Sequence, residues 1–233
     1  MDKSEYIDIL KKDEEIKNII KNQNDIYYVF LASVFTLIFS NFVQRSLFTF
    51  LKDVNPYSPE FSWIYLIIII IPALLVVKVR NKKIAHFGAH IRNLKNAIRD
   101  GFFLGVLVVL FFVGFIFFKS NYLGLDFKYL INMDRLNIFH FLLYIANVSL
   151  QQLLRSIFYI SFCDIFQSKK NMASIITAAI FGSLHIQFGF GAVALTFIAA
   201  LAFNALQKKH GTLAGVILFH SIVGWAAYTI RLL

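Results

Sequence analysis

Polar side chains concentrate in one otherwise apolar stretch of the sequence, and their spacing could support chemistry. Asn147, Gln151 and Arg155 follow one another at intervals of four residues, which places them on one face of a helix. An adjacent stripe on the same helix is formed by Ser149, Gln152, Ser156 and Tyr159. Polar groups in an apolar helix usually face other helices. The pattern predicts either a set of interhelical hydrogen bonds or the wall of a functional site.

Two histidines in later apolar stretches extend this pattern. His185 follows Phe181 at a distance of four residues, and His220 lies in a second apolar stretch nearer the C-terminus. A neutral imidazole both donates and accepts a hydrogen bond, and it can carry a proton near neutral pH. Arg155 carries five N–H donors and a permanent charge. We expect it to extend toward the cytoplasmic side or to reach Asp164 and backbone carbonyl groups.

The distribution of acidic residues and cysteine excludes several kinds of site. Beyond Glu60 the acids are Asp100, Asp126, Asp134 and Asp164, and each lies at the edge of an apolar stretch. This excludes a carboxylate proton relay inside the membrane and a metal site built from carboxylates. A single cysteine, Cys163, excludes an intrachain disulfide and a thiolate cluster. The sequence therefore predicts no metal and no cofactor.

A basic segment, Arg80–Asp100, contains His86 and His90 four residues apart. A helical pair of histidines can bind a metal, but no carboxylate or thiolate nearby completes a ligand set. The basic character of the segment instead predicts a surface helix that contacts lipid headgroups.

The composition indicates whether these helices lie in water or in a lipid bilayer. Of the 233 residues 58% are hydrophobic and 15% are charged, and the mean hydropathy is +0.68. A soluble domain carries about a quarter charged residues, so this chain belongs in a bilayer.

We predict an all-α, polytopic transmembrane bundle (residues 26–233) preceded by an amphipathic N-terminal segment (residues 1–25). About seven spans are expected from runs near 20 residues in length: Ile26–Phe42, Phe61–Val79, Gly101–Phe118, Asn137–Phe162, Met172–His185, Phe190–Leu206 and Thr212–Leu232.

Basic residues near the span ends predict the orientation. With the N-terminus in the cytoplasm, sixteen Lys and Arg residues lie on the cytoplasmic side and six on the outer side. The net charge of +10 then reflects topology and contact with anionic lipid, and it does not indicate nucleic-acid binding. The abundance of Ile, Phe, Lys and Asn is typical of an AT-rich bacterial genome. These observations predict a multi-pass protein of a bacterial cell membrane.

The ordered polar motifs resemble those of the CAAX protease and bacteriocin-processing family of intramembrane endopeptidases, also called the Abi family. Its pattern is Glu-Glu-x-x-x-Arg, then Phe-x-x-x-His, then His-x-x-x-Asn or Asp. Arg155 matches the first motif, Phe181 and His185 match the second, and His220 matches the start of the third. The resemblance implies that these side chains converge on one cavity within a helical bundle.

The chain departs from the family pattern where catalysis depends on it. Alignment on Arg155 puts the two Glu positions at Leu150 and Gln151, and alignment on the paired amides puts them at Gln151 and Gln152. Neither register supplies a carboxylate, and an amide has no useful basicity at neutral pH. Gly224 stands where the family has Asn or Asp.

These departures favour a pseudoprotease. It would bind a membrane or envelope protein or peptide without cleaving it, in bacteriocin self-immunity or in cell-envelope regulation. The expected site comprises the motif positions together with cavity-lining residues: Gln151, Gln152, Arg155, His185 and His220, with Asn147, Phe181 and Gly224. Two alternatives remain open at this point. One is an active endopeptidase that uses Asp164 or a neutral histidine as its base, and the other is a small membrane transporter.

Overall fold

The computed structural model describes residues 3–50, 62–124, 137–167 and 169–229. All regular structure in this part of the chain is helical, which confirms the predicted all-α class. The α-helices are α1 (Lys3–Phe50), α2 (Ser62–Val79), α3 (Leu94–Leu123), α4 (Ile138–Ile165), α5 (Lys170–Ser183), α6 (Phe190–His210) and α7 (Ala214–Thr229). Short 3₁₀ helices lie at Ile84–Phe87 and Ile186–Phe188.

Each predicted span overlaps one of these helices, although α5 ends at Ser183, two residues before the predicted end at His185. Five helices, α1 to α4 and α6, contain a segment long and apolar enough to cross a membrane. Helix α7 is apolar but has only 16 residues, and α5 has 14, which are short beside the roughly 20 that a complete crossing needs. The structure thus supports a polytopic membrane protein with five clear candidate spans, and it leaves the predicted total of seven open.

The N-terminal segment and the first span form one continuous helix. Helix α1 has 48 residues, about 72 Å at 1.5 Å per residue, and it passes through the expected boundary near Asp25 without a break. Its first turns expose apolar side chains such as Ile7, Leu10 and Ile16. The N-terminal segment is thus the first part of α1.

The prediction of a surface helix over Arg80–Asp100 is wrong. The segment contains a turn, a single 3₁₀ helix and the first residues of α3. Gly88 adopts φ +87°, a left-handed conformation that ends the 3₁₀ helix, and its carbonyl oxygen accepts a hydrogen bond from the backbone of Leu213 at 3.0 Å. Phe87 is fully buried. The loop therefore packs into the bundle because Phe87 contributes to the hydrophobic core, and His86 and His90 do not share a helix face.

Helices α3 and α7 approach each other closely. A β-carbon added to Gly101 would meet the backbone of Gly215, and one added to Gly215 would meet the backbone of Ala97. Further along α3, Gly105 lies against the side chain of Ile222. Ala97, Gly101 and Gly105 recur every four residues, the small-residue spacing that lets membrane helices approach closely.

Two groups of ion pairs connect the helices outside the apolar interior. Arg80 donates to Asp25 and Asp164, each at 3.1 Å, and so joins α1, α4 and the end of α2. Asp100 accepts from Lys209 at 2.6 Å and from His210 at 3.0 Å, which joins α3 to the end of α6. All the residues in these two groups belong to segments assigned to the cytoplasmic side from the sequence.

Candidate functional site

Arg155 lies at the centre of a buried polar cluster on α4. The residue is 1% exposed, and its Nε donates to the side-chain oxygen of Gln152 at 2.6 Å. One terminal nitrogen donates to Asn204 Oδ1, and the other donates to Gln207 Oε1 at 2.6 Å. The guanidinium carbon also lies 6.0 Å from the ring centre of Tyr159. The predicted alternatives for Arg155 are therefore wrong: neither Asp164 nor a route to the surface is used, because three amide oxygens are closer.

The amides around Arg155 extend the cluster to three further elements. The Asn204 side chain donates to the backbone oxygen and hydroxyl of Ser174 on α5, both at 3.1 Å. Gln207 donates to the hydroxyl of Ser156 and to the carbonyl oxygen of Phe87 in the buried loop. Ser156 donates to the same carbonyl oxygen. Each acceptor of the guanidinium is thus held in place by its own donors.

Gln152 connects this cluster to the third motif. Its side-chain nitrogen lies 2.7 Å from Nδ1 of His220 on α7, while its oxygen accepts from Arg155. Gln152 is fully buried and His220 is 9% exposed. Gln152 and His220 are 68 positions apart, and their contact connects the first motif to the third.

The ring of Phe181 contacts both histidines. The Phe181 ring centre lies 5.3 Å from that of His185 and 6.0 Å from that of His220. Phe203 also packs against His220, with ring centres 5.0 Å apart, and against Phe181 at 6.2 Å. His185 Nδ1 lies 2.9 Å from the carbonyl oxygen of Phe181, so Nδ1 carries the proton and donates it. The second motif thus supplies both a ring and a carbonyl group that fix its own histidine.

Gly224, the position of the missing Asn or Asp, faces the side chain of Tyr144. A β-carbon at Gly224 would coincide with the space that the Tyr144 hydroxyl oxygen occupies, and it would lie 3.4 Å from Cδ2 of His220. The Tyr144 and His220 rings are arranged edge to face, with centres 6.4 Å apart. A phenol from α4 therefore fills the space beside His220 where the third motif would place a longer side chain.

Other predicted site residues lie away from these contacts. Gln151 is half-buried and takes part in none of the hydrogen bonds described above, while Leu150 packs against the hydrophobic core. Asn147 is buried and donates to the hydroxyl of Ser62 on α2 at 2.5 Å. Of the paired amides, Gln152 is the one that contacts both Arg155 and His220.

Sequence reasoning overlooked three residues that complete the arrangement. Asn204 and Gln207 lie three residues apart near the end of an apolar span, a spacing that puts both on one helix face. That spacing was a usable signal, because polar groups at this depth need partners. Tyr144 gave no comparable signal, since a tyrosine in an apolar helix is common and its contact with Gly224 depends on how α4 and α7 pack.

The cluster can donate hydrogen bonds and hold charge, but the contacts described for Arg155 include no carboxylate. Every acceptor described for Arg155 is a neutral amide oxygen. Within the described residues, no three side chains from His, Cys, Asp or Glu are grouped to hold a metal ion. The histidines are the remaining groups of this site that can exchange a proton.

Comparison with known families supports the interpretation of the motifs. Residues 136–226 match the type II CAAX prenyl endopeptidase Rce1-like family. The match confirms the resemblance inferred from the motifs, and it spans 91 of the 233 residues. No curated protein and no solved structure matches the chain.

The Rce1-like segment contains every motif position, from Leu150 to Gly224. It begins just before α4 and ends within α7, so it includes all the side chains that contact Arg155. Helices α1 to α3 lie outside the match. Phe87, in the loop between α2 and α3, nevertheless supplies a backbone acceptor to the cluster.

Proposed function

We propose that this membrane protein is a pseudoprotease of the Rce1-like type that binds a membrane or envelope protein or peptide without cleaving it. The observation that carries the proposal is the set of acceptors around Arg155: Gln152, Asn204 and Gln207 are all amides. Loss of a general base costs about 10²–10⁴ in rate. The cluster thus keeps the positioning network of an endopeptidase-like site without a carboxylate to activate water.

The position of the histidines suits binding. His185 is half-buried beside Phe188, which is 41% exposed, so this end of the cluster is open to a neighbouring chain. A polar cluster inside an apolar bundle gives an incoming peptide backbone hydrogen-bonding groups that lipid lacks. Bacteriocin self-immunity and cell-envelope regulation are the two settings in which we expect such binding to act.

A photocrosslinking experiment tests the binding. A photoreactive amino acid replaces Phe188, beside the site, or Phe103, which is 64% exposed on α3. In cells of the source organism, the 188 derivative should yield one discrete adduct with an intact partner, and the 103 derivative should not. Equal adduct patterns at both positions would contradict a binding site near His185.

An active endopeptidase is the second candidate, and the family match favours it because the family description is enzymatic. We expect the purified wild-type protein to leave a membrane-tethered reporter peptide uncut. Cleavage that falls by about 10²–10³ in both His185→Ala and His220→Ala, at unchanged protein level, would establish the enzyme instead.

A further inference from the structure

The direction of the hydrogen bonds in the cluster determines where His220 carries its proton. Arg155 can only donate, so the atom of Gln152 that lies 2.6 Å from its Nε must be the carbonyl oxygen. The NH₂ group of Gln152 then points at His220 Nδ1, 2.7 Å away, and donates to it. A nitrogen that accepts a hydrogen bond carries no proton, so the proton of a neutral His220 lies on Nε2.

The orientation of the Arg155 guanidinium is itself fixed, and this determines which group donates and which accepts in each hydrogen bond of the cluster. Asn204 and Gln207 accept from its two terminal nitrogens, and both amides have their NH₂ groups engaged elsewhere. Rotation of any one amide would bring two donors face to face in a buried environment, at a cost of about 1–3 kcal/mol. The network therefore favours a single arrangement.

We propose that Arg155 and Gln152 are positioning residues that hold His220 as a hydrogen-bond donor through Nε2. The Cδ2–Nε2 edge lies across the ring from Nδ1, on the side of Gly224 and the Tyr144 hydroxyl. A group that binds at this edge must offer a lone pair.

A glutamate at position 152 would impose the opposite arrangement. A carboxylate has two acceptor oxygens and no donor, so it would accept from Arg155 and also from a protonated Nδ1 of His220. The choice of Gln or Glu at position 152 therefore affects more than the supply of a base: it determines whether the Nδ1 of His220 that faces this side chain carries a proton.

Nitrogen NMR of ¹⁵N-histidine-labelled protein in detergent tests the proposal without a ligand. Protonated and unprotonated ring nitrogens have widely separated shifts, and His220→Gln identifies the His220 signals. His185 is the internal reference, because its Nδ1 donates to Phe181 and should be protonated. Wild-type His220 should show an unprotonated Nδ1 and a protonated Nε2. A protonated Nδ1 in the wild type would overturn the proposal.

Two isosteric variants separate positioning from packing. Gln152→Glu should protonate Nδ1 of His220 and leave His185 unchanged. The matched control is Gln151→Glu, one residue away on the same helix and half-buried, which should leave both histidines as in the wild type. An unprotonated Nδ1 in Gln152→Glu, or the same change in both variants, would overturn the assignment of Gln152. This readout is independent of partner binding, so its failure is distinguishable from failure of the proposed function.

Discussion

Gly224 and the hydroxyl group of Tyr144 occupy adjoining space that admits no β-carbon at position 224. The two residues lie on different helices, α7 and α4, and both border His220. The absence of Asn from the third motif is therefore coupled to a bulky neighbour. Restoring the family residue at position 224 alone would force Tyr144 away from His220.

Gly224→Ala should destabilise the protein through this contact. Overpacking of a core site costs about 1–3 kcal/mol, and we expect a lower melting temperature in detergent. Tyr144→Phe should relieve part of the loss, since the nearest remaining ring atom would lie 3.0 Å from the new β-carbon. A double-mutant cycle measures the coupling. Gly191→Ala is the control, because a β-carbon there would meet nothing within 4 Å. An equal loss of stability in Gly191→Ala and Gly224→Ala would contradict a specific clash with Tyr144.

Much of the fold was predictable because hydrophobicity determines where membrane helices lie. Arg155 and His220 lie on helices as predicted, His185 lies two residues beyond the end of α5, and the family match covers the residues recognised as motif positions. The partners of Arg155 were not predicted. The sequence offered Asp164 as a counter-charge, but Asp164 accepts from Arg80, and buried amides from α4 and α6 surround the guanidinium.

Folding should depend strongly on glycine at position 101, because Gly101 lies against the backbone of Gly215. Gly101→Ala would drive a methyl group into the backbone of Gly215, which has no side chain that can rotate away. We expect a loss of at least about 1–3 kcal/mol and separation of α3 from α7. On the same helix, Gly114→Ala meets nothing within 4 Å and should be neutral or stabilising by up to about 1 kcal/mol. Thermal unfolding in detergent compares the two, and equal effects would refute the close approach.

Arg80 should anchor α1 to the bundle. Its side chain is 6% exposed and donates to Asp25 and Asp164, so Arg80→Met leaves two partly buried carboxylates without this partner. The expected loss is about 1–3 kcal/mol, since both carboxylates keep some contact with water. Faster proteolysis within residues 3–25 of the detergent-solubilised protein would report the loosened helix. Lys78→Met, which replaces an exposed cation in the last turn of α2, is the control, and a cleavage rate as high as that of Arg80→Met would contradict the anchoring role.

The predicted orientation can be tested at two described positions on opposite ends of the bundle. His86 pairs with Asp164 at 3.3 Å and belongs to the end that contains Arg80, whereas exposed Asn121 lies near the other end of α3. With sixteen basic residues against six, we expect His86 to face the cytoplasm. Cys163→Ser removes the native thiol, and single cysteines are then placed at each position. An impermeant maleimide added to intact cells should label Asn121→Cys, and it should label His86→Cys only after lysis. The reverse pattern would invert the topology and put the N-terminus outside.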